Sequence, residues 1–243
     1  MDTLTISAAG GMRARMESLD MLANNLANTE TGGYKSDREF YNLYVSAEAG
    51  GAENGSAATL PVIERPWTDF SQGTLRTTGS DLDLALSGKG FFAVDGPSGS
   101  LFTRNGSFRV AADGSLVTSE GYAVRTVSGA GIKVQPSGAV VVTADGAVRQ
   151  NGQTLGSLEI ADFDDSSALV KQGASYFHTA LASQPATAVK VEQGKLESSN
   201  VGAAESAVRL VAVMRQFEML QKAATLGAQM NKQTIEEVAR VAS

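Results

Sequence analysis

The N-terminal segment reads, from residue 4 to residue 28, LTISAAGGMRARMESLDMLANNLAN. Its apolar side chains recur at alternating gaps of three and four residues, which places them along one side of an α-helix. The C-terminal segment, residues 203–240, carries the same spacing. The two stripes are Ala9, Met12, Met16, Leu19, Ala23 and Leu26 in the first segment, and Leu210, Val213, Phe217, Leu220 and Ala224 in the second. A seven-residue repeat is typical of helices that pack on helices, so the two ends are predicted to pack together as a coiled coil.

The middle of the chain follows a period of two instead of seven. Leu82, Leu84 and Leu86 alternate with polar or small residues, which is typical of a strand with one buried face. Dipeptides that close tight turns recur through the same region. They are Asp95-Gly96, Asn105-Gly106, Asp113-Gly114, Asp145-Gly146 and Asn151-Gly152. We therefore predict an α+β fold. Long N- and C-terminal helices pack together, and the chain between them forms an all-β module, an irregular barrel or sandwich of hairpins.

Four segments are expected along the chain. Residues 1–35 are predicted to form the N-terminal helical segment, which Gly32-Gly33 would end because glycine readily adopts the left-handed conformation. Residues 36–59 are rich in small polar residues and indicate a loop or linker. Residues 60–197 are predicted to form the β domain, and residues 198–243 the C-terminal helical segment.

The composition of the chain limits which partners, metal sites and membrane contacts the protein can have. The net charge of −6 makes nucleic acid an unlikely partner. The absence of cysteine excludes disulfides and thiolate metal sites. Leu210–Met214 is among the longest apolar runs and is much shorter than a membrane span, so no membrane insertion is expected. Met1-Asp2-Thr3 lacks a basic start and an apolar core, so we expect any export to occur without a cleaved signal peptide.

The motifs that carry chemistry in other proteins have plainer explanations here. His178, the single histidine, has no neighbours at a recognised metal or catalytic spacing. Asp162, Asp164 and Asp165 follow a predicted strand and are typical of a solvated turn. Gly88-Lys89-Gly90 is too short for a phosphate-binding loop and indicates a tight turn before a buried strand. We therefore predict no catalytic residue, no cofactor and no metal.

Both terminal helices carry apolar residues beyond their main stripe. The first helix also contains Gly10 and Gly11, and such a helix is marginally stable alone in water. A helix that is apolar on more than one side expects more than one neighbour. The additional apolar residues are Leu4, Ile6 and Leu22 in the first helix and Val208, Val211, Met214 and Ile235 in the second. We therefore expect contacts between subunits as well as within the chain.

Several motifs resemble the bacterial flagellar rod and hook protein family. They appear in order over nearly the whole chain. They are LANNLANT at residues 22–29, GYK at 33–35, LDLAL at 82–86, GKGFF at 88–92, FTRNGSF at 102–108, DGSLVT at 113–118 and GKLESSNV at 194–201. The start Met1-Asp2 and the stretch MRQFEM at residues 214–219 are most like the proximal-rod branch, although the distal-rod branch shares most of these motifs.

The resemblance implies a non-enzymatic subunit of the flagellar drive shaft. Such proteins are exported by the flagellar type III apparatus and polymerise helically in the periplasm with copies of themselves and with other rod proteins. The implied assembly interface comprises both apolar stripes, together with Asn24, Asn25 and Asn28 of the N-terminal motif and Met214.

Two alternatives of other classes stay open at this point. One is a ligand-binding β module, with a glycan as one possible ligand, that is dimerised by its helices; it would use exposed Trp67, Tyr122 or Tyr176. The other is an enzyme that uses the acidic cluster of Asp162, Asp164 and Asp165.

Overall fold

The structure of the protein is a computed structural model. It describes residues 3–39, 41–45, 59–63, 67–135, 138–173 and 175–241. These residues divide into two compact units. The helical unit lies within residues 1–27, 37–67 and 202–243, and the β unit within residues 28–36 and 68–201.

The helical unit is built on two long helices. Helix α1 spans Thr3–Ala27 and helix α2 spans Ala203–Val241. The two helices contact each other. Both predicted helices are therefore confirmed, although α1 ends at Ala27, before the predicted Gly32-Gly33 stop. Gly33 does have a positive φ of 67°, but it lies in the β unit and serves a different purpose, described below.

Short strands accompany the helices. Strand β1 spans Asp37–Arg38, β2 spans Tyr41–Val45 and β3 spans Thr59–Ile63. Strands β2 and β3 pair antiparallel. Strand β4, Trp67–Thr68, lies where the chain passes from one unit to the other. Within the predicted linker, residues 46–58 lie outside the described residues.

The β unit contains sixteen further strands, all short and paired antiparallel. They are β5 Leu75–Thr77, β6 Leu84–Gly88, β7 Phe91–Gly96, β8 Gly99–Thr103, β9 Phe108–Val110, β10 Leu116–Thr118, β11 Ala123–Val124, β12 Val140–Val142, β13 Ala147–Gln150, β14 Gln153–Ser157, β15 Ile160–Asp162, β16 Val170–Gln172, β17 Tyr176–His178, β18 Gln184–Pro185, β19 Val189–Gln193 and β20 Lys195–Glu197. A short 3-10 helix covers Ser166–Ala168.

These strands form one large sheet and several small ones. The nine-stranded sheet has the order β16-β17-β8-β7-β11-β10-β9, and β15 joins it by pairing with both β7 and β18. The three-stranded sheet is β12-β13-β14, and β6 pairs with β19 while β5 pairs with β20. The prediction of an α+β fold with a β module is thereby confirmed.

Strand β7 divides the core of the β unit into two clusters. Successive side chains of a strand point to opposite faces. Phe92 and Val94 therefore join one buried cluster, whereas Phe91 and Ala93 join the other. The first cluster also contains Leu84, Leu86, Val124 and Val148, and the second contains Phe102, Phe163 and Phe177. Because both faces of β7 are covered, its run of apolar residues does not alternate with polar ones.

Several predicted turns occur where the dipeptides indicated. Asn151 and Gly152 have φ values of 52° and 77°, and they connect β13 to β14 as a two-residue turn with positive φ at both positions. Gly114 and Gly146 also have positive φ between adjacent strands. The turn at Gly88-Lys89-Gly90 is confirmed too, since its glycines have φ values of 115° and 136°.

Two turn predictions were wrong. Asp95-Gly96 ends strand β7, and the turn to β8 is made by the next two residues, Pro97 and Ser98. Asn105-Gly106 closes no hairpin. Gly106 is needed for close approach instead, because a Cβ atom there would lie 1.7 Å from the carbonyl oxygen of Leu84.

Replacing Gly106 with alanine should therefore destabilise the β unit. The added methyl group forces the backbone away from Leu84 and disturbs the hydrogen bond from the Leu84 N–H to the Gly106 carbonyl, 2.9 Å long. We expect Gly106→Ala to lower the free energy of unfolding by about 2 kcal/mol or more, measured by urea denaturation. Gly131→Ala is the control, because a Cβ atom there meets nothing within 4 Å among the described residues. Equal stability of the two variants would contradict this packing.

Candidate assembly site

Helix α1 buries a stripe of small residues and one leucine. The buried residues are Gly11, Ala14, Ser18, Leu22 and Asn25. They recur at gaps of three, four, four and three, so they lie on one side of the helix. We call this side the inner side of α1.

Helix α2 turns its predicted stripe inwards. Val213 is buried, and Leu210, Phe217, Leu220 and Ala224 are half-buried. A Cβ atom on Gly11 of α1 would lie 3.4 Å from a methyl carbon of Leu220, which shows how closely the helices approach. The absence of a side chain at Gly11 leaves room for the larger Leu220. The α2 stripe therefore lies on the inner side of its helix.

The predicted α1 stripe does not lie on the inner side. Ala9, Met16 and Ala23 are exposed, while Met12, Leu19 and Leu26 are half-buried. Met16 keeps 54% of its surface exposed. With 3.6 residues per turn, this stripe lies roughly 130° around the helix from the inner side. We call it the outer stripe of α1.

Helix α2 has an outer stripe of its own. Its members are all exposed, and they follow one another at gaps of four, seven, four, three and four. They are Val208, Ala212, Met219, Ala223, Leu226 and Met230. This stripe lies roughly 120° around the helix from the inner side. Sequence reasoning identified Val208 as an extra apolar residue, and Met219 and Met230 as residues that pack between helices, but it did not group the six residues into one stripe, although a second seven-residue repeat, offset from the first, was the available signal.

Further apolar residues of α2 lie outside both of its stripes. Met214, a predicted interface residue, and Val211 are about half exposed. They widen the uncovered apolar surface of α2. The side chains of Leu4, Ile6 and Ile235, which were also expected to be apolar contacts, lie outside the described residues.

The three asparagines of the N-terminal motif have different surroundings. Asn25 is buried, and its amide pairs with both backbone groups of Asp37. The Asn25 Nδ2 donates to the Asp37 carbonyl at 2.8 Å, and Asn25 Oδ1 accepts from the Asp37 N–H at 3.0 Å. Asn24 is exposed. Asn28 lies in the β unit, where its Oδ1 accepts a hydrogen bond from the Thr31 hydroxyl.

The β unit holds a buried cluster of charges that sequence reasoning missed. The side chains of Lys35 and Glu197 are fully buried, and that of Arg104 is nearly so. Lys35 Nζ donates to Glu197 Oε1 at 2.5 Å, and Arg104 Nη1 donates to Glu197 Oε2 at 3.3 Å. All three residues belong to the motifs quoted above. Nothing in their spacing showed that they meet, because Lys35 and Glu197 lie 162 residues apart.

Burial and the neighbouring negative charge shift the pKa values of the two cations in opposite directions. Loss of hydration on burial lowers the pKa of Lys35, and the neighbouring Glu197 carboxylate partly opposes that shift. Burial likewise lowers the pKa of Arg104, again against the attraction of Glu197. The Glu197 carboxylate therefore stabilises the charged forms of both side chains inside the protein.

The residues of the alternative hypotheses have ordinary structural partners. Asp162 accepts from the Phe163 N–H at 2.9 Å, Asp164 from the Gln184 amide at 2.8 Å and Asp165 from the Ser167 N–H at 2.9 Å. His178 is exposed at the end of β17. Among the residues that the structure describes, no set of three or more histidines and carboxylates is arranged to hold a metal ion.

The aromatic residues proposed for ligand binding also have structural partners within their own units. Trp67 is about half exposed and carries the guanidinium of Arg38 over its ring at 5.8 Å. Tyr122 and Tyr176 lie in the β unit and contact each other edge to face, with ring centres 5.3 Å apart. The hydroxyl of Tyr176 donates to Glu120.

Neither described helix combines the length and the apolar character needed to span a bilayer.

Comparisons with known proteins cover most of the chain. Residues 7–35 match the family described as flagella basal body rod protein. Residues 85–152 match the flagellar hook protein FlgE/F/G D1 domain, and residues 192–237 match the flagellar basal body rod FlgEFG protein C-terminal family. These ranges contain the outer stripes of both helices and all three members of the buried charge cluster.

Full-length relatives agree with these matches. The flagellar basal-body rod protein FlgF of Caulobacter vibrioides is 31% identical over 99% of both chains. FlgF of Mesorhizobium japonicum is 33% identical over 89% of both chains. The flagellar basal-body rod protein FlgG of Caulobacter vibrioides is 32% identical over 94% of this chain and 96% of its own length.

Removing the Asn25 amide should loosen the chain after α1. Asn25→Ala leaves the N–H and the carbonyl of half-buried Asp37 without the partners described above, which costs about 1–3 kcal/mol. We expect a lower thermal midpoint and faster hydrogen exchange at the Asp37 amide. Asp20→Ala, a similar truncation at an exposed position of the same helix, is the control and should leave both unchanged. If Asn25→Ala exchanges at the wild-type rate, the role assigned to this amide is wrong.

Proposed function

Because the chain belongs to the family of flagellar basal-body rod proteins, we propose that it is a structural subunit of the rod that assembles through its terminal helices. In a helical polymer each subunit contacts its neighbours through two different surfaces, so the contacts continue without closing into a ring. A subunit of this kind needs at least two complementary surfaces that are uncovered before assembly.

The observation that carries the proposal is that packing α1 against α2 covers one side of each helix and leaves the outer stripe of α1 exposed or half-buried and that of α2 exposed. The inner sides of α1 and α2 pack within the unit. The outer stripes leave Met16, Met219, Leu226 and Met230 more than half exposed. Burial of apolar surface is worth roughly 25 cal/mol per Å², so covering both stripes provides a strong driving force for association.

The seven-residue spacing of the outer stripes supports packing against further helices. Such a repeat is typical of knobs-into-holes packing between helices, so we propose coiled-coil contacts between the helices of neighbouring subunits. Methionine suits these contacts because its flexible side chain fills irregular spaces between helices. The predicted interface residues Ala9, Met12, Leu19, Ala23 and Leu26 belong to this surface.

We propose the basal body as the site of action and other axial proteins as partners. The partners include copies of this chain and other rod proteins, and the flagellar type III export apparatus would deliver the chain to them. The FlgF relatives favour the proximal rod, because the Caulobacter protein and this chain match over nearly their entire lengths. FlgG relatives match at similar identity, so a distal-rod subunit is the second candidate.

The role proposed is mechanical and not catalytic. A rotating shaft must pass torque from subunit to subunit, which favours many distributed contacts over one binding site. The long apolar stripes supply such contacts. The acidic residues of the alternative enzyme hypothesis accept structural hydrogen bonds, as described above.

Charges placed in the outer stripes should abolish assembly without unfolding the chain. Met16→Glu or Met219→Glu puts a carboxylate on a surface that the proposal buries between subunits, and burying an unpaired charge costs several kcal/mol. In cells that lack the wild-type gene, we expect loss of swimming and absence of the variant chain from isolated basal bodies. The free chains should keep the wild-type circular dichroism spectrum.

Gln229→Glu is the matched control. It adds the same charge to the same helix at an exposed position, about 90° around the helix from the outer stripe of α2. It should leave swimming and incorporation intact. Normal swimming by both methionine variants would overturn the proposal.

A further inference from the structure

The segment that follows α1 contains no strand. It is held on the β unit by hydrogen bonds outside the sheets. We call residues 28–36 the strap. The Gly33 N–H donates to the Glu197 carbonyl at 2.8 Å, and the Ser36 N–H donates to the Asn200 Oδ1 at 2.8 Å. The Asn200 N–H in turn donates to the Tyr34 carbonyl at 3.3 Å. The strap is therefore held largely by residues 197–200, which precede α2 in the chain.

Close backbone packing surrounds the strap. A Cβ atom on Gly33 would lie 2.3 Å from the backbone nitrogen of Asn105. A Cβ atom on Gly73 would lie 2.0 Å from the carbonyl oxygen of Ser198. The segments around residues 33 and 105, and those around residues 73 and 198, thus approach each other in pairs at distances that only glycine permits.

Glu197 connects these segments through its carboxylate. Besides Lys35 and Arg104, it accepts a hydrogen bond from the Gly73 N–H at 2.9 Å. Lys35 Nζ also donates to the Ser71 carbonyl at 2.7 Å, and Arg104 Nη2 donates to the Gly88 carbonyl at 2.7 Å. A single buried carboxylate therefore joins the strap to three other parts of the β unit.

A third cation, Lys171 of strand β16, contacts the strap. Lys171 Nζ lies 4.3 Å from the centre of the Tyr34 ring and donates to the Lys35 carbonyl at 2.6 Å. Tyr34 itself is almost fully buried. Residues 33–36 of the strap are consequently all buried.

We propose that Lys35, Arg104 and Glu197 form a latch that holds the strap on the β unit and transmits force between this unit and the chain segments leading to the two helices. The covalent path from α1 enters the β unit through the strap, and the path to α2 leaves it through residues 197–202. Tension on either path therefore reaches the latch. The force-transmitting role rests on the proposed function, whereas the latch itself does not.

The latch contains two positive charges and one negative charge. Removing the negative charge should therefore have a different effect from removing a positive one. Two buried cations share one buried carboxylate, and Arg104 Nε has no hydrogen-bond partner in the described structure. Asp69 and Asp162 add only weaker attraction, to Lys35 and Arg104 respectively. Removing the charge of Glu197 leaves two buried cations without their carboxylate. Removing Lys35 leaves one cation paired with one carboxylate, which is the less costly arrangement.

Hydrogen exchange of the full chain tests the latch. We expect Glu197→Gln to speed exchange at the Gly33 and Ser36 amides about tenfold or more, because the strap opens more often. Lys35→Met should have a smaller effect. The double variant should lie between them, since removing Lys35 relieves part of the repulsion that Glu197→Gln creates.

A surface ion pair supplies the matched control. Glu192 pairs with Lys195 at 2.6 Å, and both side chains are partly exposed, so Glu192→Gln should leave exchange in the strap unchanged. The latch is overturned if Glu197→Gln exchanges within twofold of the wild type, or if Lys35→Met has an equal or larger effect. If Glu197→Gln does not fold, recovery of folding by the double variant supports the latch and failure to recover overturns it.

Swimming at different viscosities tests the force-transmitting role. Cells whose basal bodies contain Glu197→Gln should swim in dilute medium but lose speed faster than wild-type cells as viscosity rises. Equal loss of speed in the two strains overturns that role. Basal bodies that lack the wild-type chain would overturn the proposed function, and the exchange result would still decide the latch.

Discussion

Each terminal helix has two apolar sides, and packing α1 against α2 covers only one of them. This constraint accounts for the small residues on the inner side of α1, where Gly11 makes room for Leu220. It also accounts for the exposed methionines on the outer stripes. A helix that is apolar on more than one side gains stability by packing against more than one neighbour. In the assembly that we propose, neighbouring subunits cover the apolar surface that the single chain leaves exposed.

We propose that the β unit holds together the two chain segments that lead to α1 and to α2. The strap contains no strand, so its contact with residues 197–200 depends on glycines and on one buried carboxylate. A buried ion pair contributes little net stability compared with apolar packing, but removing one partner is costly. The Lys35, Arg104 and Glu197 cluster therefore favours one arrangement of these segments over others.

Much of the fold follows from periodicity, whereas the contacts at the site do not. The repeats of seven and two predicted both helices and the β module, and Asn151-Gly152 predicted its hairpin. The choice between the two apolar sides of α1 was not predictable, because Met16 and Leu22 both fit a helical repeat. Gly33 and Gly106 looked like helix-ending or turn residues, yet they serve close backbone approach. The pairing of Lys35 with Glu197 joins residues too far apart in sequence for any local pattern to show it.

The most direct test of the central claim measures whether the outer stripe of α2 becomes covered in the rod. The chain contains no cysteine, so Met219→Cys provides a single site for a thiol-reactive probe. The free chain should be labelled rapidly, because Met219 is 61% exposed. In isolated basal bodies that contain this variant, the same site should be protected from the probe. Labelling at the same rate before and after assembly would contradict the claim that the outer stripe is an interface between subunits.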